Sequence, residues 1–414
     1  KECSNLIKGE LDSSVVLNIY RASEKKKLEF ELFRSNIKLQ NVPYWGIDDD
    51  GVGYIRITRF SKNVDKDFKN ALIELNNNGL QSLIIDLRGN SGGLLSVATN
   101  ILDYITEKND FLLEQRAKIK KFSRKYKSKM KPIIDTDMPI IVLINSSSAS
   151  ASEIVAGTLQ DLDRAVVLGQ KSFGKGLVQR IWKLNDTLSM KLTTAKYYLP
   201  SGRLIQKQDY LDNGFLTDGL DKEDSLFYTK NGREVKGGGG INPDVILKKN
   251  KMNTFINSLW KDKIFLSFAS KYVSKNKNNL KSPIDINYKI INSFFKFINN
   301  SEFDYFENGE NKIKEIKKIF FKNNISINPH SYNISKKEPS RITREIESYL
   351  NVVKKMQFYN DENQKHIKNG LLREISRLVS GEKERIKVSL FNDEEYLRSL
   401  KILNTDEYYE ILGY

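Results

Sequence analysis

The chain has 414 residues, of which 39% are hydrophobic and 29% charged, and a formal net charge of +16. This length accommodates two or three domains with a large core, and no apolar run approaches the ~18 residues of a membrane span. The single cysteine, Cys3, excludes an internal disulfide, and the two histidines, His330 and His366, lack the cysteine neighbours of a zinc site.

Residues 1–40 read as a small β unit. Val15, Leu17 and Ile19 alternate, then Leu28, Phe30 and Leu32 alternate after the charged turn "SEKKK". The chain opens without an initiator Met or an apolar leader, partway into this pattern, so upstream sequence is expected. A loop with Pro43 and "DDDG" leads to a strand, "YIRITRF", at Tyr54–Phe60. An amphipathic helix follows, with Phe68, Leu72 and Leu75 on one face and Gly79 as its stop. "SLIIDL" predicts a short buried strand, "RGNSGG" a turn, and "LLSVATNILDYI" a helix. The densest basic stretch, Lys118–Lys131, predicts a solvated loop or hairpin with weak membrane-surface affinity. It lacks the aromatic framing of an RNA-binding sheet, so no specific nucleic-acid partner is expected. The lysine excess as a whole reads as coding bias, since asparagine is also abundant and arginine scarce. "MPIIVLI" predicts another buried strand, 151–162 a helix, "RAVVLG" a strand, and 176–199 a hairpin around "NDT". Alternating strands and helices over roughly 46–247 make an α/β layer core. Beyond Asn250 helical spacing dominates, as in Ile346, Leu350 and Val353, with "SKNKNNLKSP" and "NISKKEPSR" as linkers. No internal repeat is present.

Two stretches carry chemistry. "DLRGNSGG" at Asp86–Gly93 has the strand–glycine turn–helix form that presents backbone N–H groups to an anion, although a tight connection alone would also use those glycines. "INSSSASASEIVAG" at Ile144–Gly157 holds five serines, Ser146, Ser147, Ser148, Ser150 and Ser152. "SASE" at Ser150–Glu153 fits a capping box, the structural account of this cluster. A helix start is also where a nucleophile gains from the dipole and from an adjacent N–H. Both histidines lie in the helical C-terminal segment, which disfavours a Ser-His-Asp triad. A lysine can act as base if burial keeps its amine neutral. Lys175, between Gly174 and Gly176, is a candidate, and Gln179 lies four residues on, on the same side of a strand.

Together, "YIRITRF", "LIIDLRGNSGG", "SASASEIVAGTLQDLDRAVVLGQKSFGKGLVQ" and "TTAKYYLPSGRLIQ" resemble the carboxyl-terminal processing (tail-specific) protease family, in its order and spacing, over about residues 10–250. The segment after "INPDV" is similar to the extended bacterial members, which carry a helical C-terminal domain. The resemblance implies an α/β crotonase-like protease core at 43–250, preceded at 1–42 by the C-terminal part of a PDZ-like module and followed at 251–414 by a mostly helical domain. It implies a Ser-Lys dyad in which the nucleophile precedes the lysine of the "GKG" turn by 25 residues, which selects Ser150 for Lys175. It further implies Gln179 as the residue holding the lysine, the N–H groups of Gly93 and Ala151 as oxyanion hole, and Asp161 and Ser152 in support. No metal or organic cofactor is implied. The family often has Asn-Pro where this chain has Asn90 and Ser91, and the PDZ carboxylate-binding loop is not visible in residues 1–40.

The function so implied is a serine endopeptidase cleaving proteins with loose ends near their C-termini, in the bacterial envelope or periplasm, with a membrane tether in the missing N-terminal segment as one arrangement. The alternative is a catalytically silent peptide-binding scaffold of the same fold. A thioester-acting crotonase relative lacks a phosphate loop here and leaves the Ser/Lys spacing unexplained. The composition sets no oligomeric state.

Overall fold

In a computed structural model, the described residues are 2–21, 26–37, 40–207, 225–248, 252–276, 279–307, 309–312, 314–315, 318 and 338–414. His330 and most of the linker "NISKKEPSR" lie outside them. Contacts divide the chain into two compact units, 1–36 with 250–392, and 37–249 with 393–414.

The first unit begins with a short helix, α1 (Glu2–Ile7), and an antiparallel hairpin of β1 (Ser14–Arg21) and β2 (Lys26–Phe33), with Leu17 opposite Phe30 and Ile19 opposite Leu28. The alternation read from the sequence is therefore a two-stranded sheet by itself.

The second unit holds a six-stranded sheet. It starts with β3 (Tyr44–Ile47), β4 (Val52–Arg56), helix α2 (Val64–Asn77), β5 (Ser82–Asp86) and helix α3 (Leu95–Asp103). A hairpin of β6 (Phe111–Arg116) and β7 (Arg124–Lys127) comes next, so the basic stretch forms its second arm. Then come β8 (Ile140–Ile144), helix α4 (Ala151–Asp161), β9 (Val166–Gly169), the hairpin β10 (Leu177–Lys183) and β11 (Ser189–Tyr198), and three short strands, β12 (Leu226–Tyr228), β13 (Glu234–Lys236) and β14 (Val245–Ile246). The large sheet has the order β14-β9-β8-β5-β4-β3, parallel except for the β3–β4 pair. Its inner strands "SLIID" and "IIVLI" are buried at every residue, as a parallel sheet covered on both faces requires. The smaller sheet, β10-β11-β6-β7, is antiparallel.

Helix α4 is not amphipathic; all of its residues are buried, because it packs on α3, β6 and β9 at once. Its C-terminal end is anchored by an ion pair in the interior. Arg203 is fully buried and places Nη2 2.6 Å from Asp161 Oδ1. Arg203 also donates to the carbonyl of Lys236 and to Gln160 Oε1, while Asp161 Oδ2 accepts from the Ser201 N–H.

The remaining helices of the first unit are α5 (Thr254–Lys261), α6 (Ile264–Asn276), α7 (Tyr288–Asn299), α8 (Glu338–Met356), α9 (Asp361–Ser380) and α10 (Glu382–Leu390). Helices α5, α6, α7 and α9 share a separate apolar core around Phe255, Phe265, Phe294 and Leu371. The expected single helical domain over 251–414 departs from the structure at its end. The last two helices, α11 (Glu394–Leu403) and α12 (Glu407–Leu412), pack on the large sheet and belong to the second unit. The reason is local: Tyr396 rests edge-on against Tyr54 at 5.7 Å, and the Tyr408 hydroxyl accepts the Ile140 N–H at 3.0 Å.

Truncating one member of a buried ion pair strands the other charge, at a cost of about 3–5 kcal/mol. Arg203→Ala is therefore expected to lower the unfolding transition of the second unit in calorimetry by that amount. A change indistinguishable from that of an exposed Arg124→Ala control would show that the pair does not anchor α4.

Candidate active site

The register of the parallel strands places four chain ends together. Arg56 pairs with Asp86, Asp86 with Leu143, and Ile144 with Gly169, so the segments that follow β4, β5, β8 and β9 leave the sheet on the same side. The carboxyl ends of parallel strands are where open α/β sheets build sites. Both sequence stretches singled out above, and Lys175, lie in these segments.

Asn90 joins the glycine turn to the serine turn. Its Oδ1 accepts from the Gly92 N–H at 2.9 Å, its Nδ2 donates to the Ile57 carbonyl at 3.0 Å, and its own carbonyl accepts from the Ala149 N–H and from Ser152 Oγ. Ser148 Oγ donates to the Leu87 carbonyl at 2.8 Å. The serine cluster is thus divided: Ser148 and Ser152 are buried and committed to holding loops together.

Ser150 is different. It precedes α4 with φ 57° and ψ −113°, a positive-φ conformation that a non-glycine residue holds at a cost of about 1–3 kcal/mol. Its N–H donates to Glu153 Oε2 at 2.7 Å, which is one arm of the expected capping box. Its hydroxyl faces the phenol of Tyr197 on β11, whose pKa is raised by burial while Ser150 pulls it down. Gly92 lies against it: a Cβ there would come within 2.5 Å of the Ala149 carbonyl oxygen, 2.8 Å of Ser150 Cβ and 2.9 Å of the Ala151 nitrogen. A Cβ on Gly93 would fall 2.1 Å from the Phe60 carbonyl oxygen. That is because Phe60 bridges to this turn, taking a hydrogen bond from Leu94 N–H and giving one to the Gly92 carbonyl. Among the described residues, neither the Gly93 N–H nor the Ala151 N–H donates to a protein acceptor. Two N–H groups without a protein acceptor therefore lie in the segments on either side of Ser150.

Glu153 ties this turn to the lysine loop. Its buried carboxylate accepts from Ser150 N, Ser172 Oγ at 2.5 Å, Gly174 N at 2.7 Å and Lys175 N at 2.8 Å. Burial pushes its pKa up against the opposing pull of those four donors. Gly174 takes φ 89° to bring the chain past Lys207, whose Cβ would lie 2.9 Å from an added Cβ. Lys175 itself is half-buried, and its pKa is lowered, first by that burial and then by repulsion from Lys191 on β11, with Glu153 pulling the other way.

Of the expected residues, Gly93, Ser150 and Lys175 lie on loops, and Ala151 and Ser152 in the first turn of α4; Asn90 and Glu153 cross-link these segments. Among the described residues, no hydrogen bond joins Lys175 Nζ to Ser150 or to Gln179. Gln179 is exposed, and an irregularity between Val178 and Gln179 interrupts the β10–β11 register there, so simple strand alternation from Lys175 does not apply. Asp161 sits at the opposite end of α4, about 16 Å along the axis from Ser150. It supports the helix, not the reacting groups. Sequence reasoning missed Tyr197, Lys191 and the joining role of Asn90. Glu153 was legible only as a cap. Among the described residues, no group of three or more His, Cys, Asp or Glu side chains is placed to hold a metal ion.

Comparison with known proteins places this arrangement in context. Residues 51–215 match the model of peptidase family S41, and residues 255–403 match one described as "Probable PDZ-protease, C-terminal helical domain". Over that first stretch the chain is similar to peptidase family S41. Over 209 residues it is 37% identical to a carboxy-terminal-processing protease of Bartonella bacilliformis, covering 50% of this chain and 47% of that one. It is 35% identical over 212 residues to a carboxyl-terminal-processing protease of Synechocystis sp., covering 50% and 48%. The chain thus spans about half the length of the curated relatives it matches. Among solved structures, the photosystem II D1 C-terminal processing protease aligns at 25% identity with a TM-score of 0.38, over 58% of this chain and 57% of that one.

The effect of the Lys191 charge on Lys175 is testable. Lys191→Gln removes a cation that disfavours the ammonium form of Lys175, so the Lys175 pKa is expected to rise. The pH dependence of Lys175 acylation by an amine reagent, read by mass spectrometry, measures this. A midpoint that stays put, or moves down, would mean that burial alone sets the amine.

Proposed function

We propose that this chain is a serine endopeptidase that cleaves loosely folded proteins near their C-termini, with Ser150 as nucleophile and Lys175 as its base. The observation that carries the reading is the arrangement at the start of α4. A strained, nearly buried serine lies beside two unpaired N–H groups and is tied through Glu153 to the loop of a lysine whose pKa is lowered.

In this mechanism the neutral Lys175 amine takes the proton from Ser150 Oγ as the oxygen attacks the scissile carbonyl. The carbonyl oxygen gains negative charge and accepts from the Gly93 and Ala151 N–H groups; losing one such donor typically costs ~3 kcal/mol, or about 100-fold in rate. The carbon–nitrogen bond then breaks, and Lys175 gives its proton to the departing amine. Water adds to the acyl-enzyme and restores the serine. Lys175 and Ser150 must approach for the first step, which is common for catalytic hydrogen bonds that tighten only with substrate bound. Strand β10 lies at the edge of its sheet, which supports pairing with an extended substrate through main-chain hydrogen bonds and little sequence preference. Gln179, on that strand, is assigned to contact the lysine in the substrate-bound state. A bacterial envelope location belongs to the same proposal; no helix among the described residues is long and apolar enough to cross a membrane.

Digestion of an unfolded protein by the parent, Ser150→Ala and Lys175→Ala tests the dyad. The parent is expected to cut, and both variants to lose more than about 1000-fold while keeping the parent's circular dichroism. A folded but inert parent would favour the peptide-binding scaffold, and an active Lys175→Ala would remove the lysine from the mechanism. Because only the neutral amine is a base, activity is expected to fall as pH drops through the Lys175 pKa. A flat profile between about pH 6 and about pH 9 would contradict this assignment.

A further inference from the structure

The last helices of the chain reach the catalytic loops through one arginine. Arg88 sits in the glycine turn, two residues before Asn90, and all five of its guanidinium N–H groups are used. Nε donates to Asp86 Oδ1 at 2.9 Å and Nη2 to Asp86 Oδ2 at 2.7 Å, a bidentate pair with a fully buried carboxylate. Nη2 also donates to Asp393 Oδ2 at 2.7 Å, and Nη1 to Asp393 Oδ1 at 2.9 Å and Glu395 Oε2 at 2.5 Å. Burial works against the Arg88 charge, but the surrounding carboxylates outweigh it and raise its pKa. Asp86 is itself held by the Tyr54 hydroxyl at 2.6 Å, and Tyr54 carries the ring of Tyr396.

Glu395 has a second partner. Its Oε1 accepts from Gln170 Nε2 at 3.5 Å. Gln170 is the first residue after β9 and opens the loop that ends in Lys175. One carboxylate on α11 therefore contacts Arg88 in the glycine turn and Gln170 in the lysine loop. Asp393 is at the same time the N-cap of α11, accepting from the Glu395 and Tyr396 N–H groups at 3.1 Å each, so the helix cannot start elsewhere without releasing Arg88.

We infer that residues 393–414 form a positioning strap, in which Asp393 and Glu395 hold the Arg88–Gly93 turn and the Gln170–Lys175 loop at the separation that catalysis needs. Neither residue touches substrate; each acts through Arg88 and Gln170. A simple docking role would need only the Tyr396 ring contact and the Tyr408 hydrogen bond. The strap instead directs its N-terminal carboxylates to two loops to which the proposed mechanism gives different chemical tasks. This inference rests on the protease reading for its effect on rate, but its geometric content does not.

The test compares the parent chain with Asp393→Asn/Glu395→Gln by amide hydrogen exchange and by steady-state digestion of an unfolded protein. Exchange in peptides covering 87–94 and 170–176 is expected to quicken together, with kcat lowered about 10-fold and KM within about 2-fold, as slight misplacement of reacting groups produces. Arg398→Gln, which breaks a pair with Glu407 inside the strap, is expected to change neither. Should the double variant fail to fold, Glu395→Gln alone carries the comparison. Unchanged exchange in both loops, whatever happens to thermal stability, would overturn the strap. A parent that cuts nothing would instead count against the protease reading, and the exchange comparison would then decide the strap by itself.

Discussion

The site depends on one buried carboxylate. Glu153 accepts hydrogen bonds from Ser150, Ser172, Gly174 and Lys175, residues on two loops that leave different strands. Taking a carboxylate out of water costs several kcal/mol unless donors replace the solvent, and here four protein donors do so. The same exchange ties the serine turn to the lysine loop. An apolar residue at this position would leave the Ser150, Gly174 and Lys175 N–H groups unpaired in the interior, so the charge and the geometry of the site come as one unit.

Helix α4 transmits that constraint. Its start carries Ser150 in a positive-φ conformation, and its end is anchored through Asp161 to the buried Arg203. A helix held at both ends and buried on every side has little freedom to shift. The strained residue at its start therefore persists, because relaxing it would disturb contacts along the whole element. The glycine turn is held from the other side by Asn90 and by the Arg88 network. The lysine side chain is less enclosed than the serine. Lys175 is only half-buried, and Lys191, which lowers its pKa, stands on an exposed hairpin.

Much of this was legible along the chain. The buried runs "SLIID" and "IIVLI" are strands because continuous apolar residues suit a sheet covered on both faces, and the glycine turn and the capping pattern after them are local features with local causes. The alternation of residues 14–33 likewise became a hairpin. What was not legible came from residues distant in sequence. Tyr197 reaches Ser150 because β11 runs back beside the lysine loop, and nothing in "AKYYL" marks which tyrosine does so. The end of the helical segment looked like the rest of it, since helical spacing reports a buried face without naming what it is buried against.

Chain order alone fixes which residue types stand at the ends of the strands: serines before a helix, paired glycines after a strand, and a lysine between glycines. Those choices follow from backbone geometry and hydrogen bonding within a few residues, which local order controls. Which serine is strained and which are structural is set by folding, because Ser148 and Ser152 are distinguished by the carbonyls of Leu87 and Asn90, some sixty residues away. Likewise only folding joined Asp393 and Glu395 to Arg88, across some three hundred residues. A buried charge must find its partner wherever packing places one, and chain order carries no record of that distance.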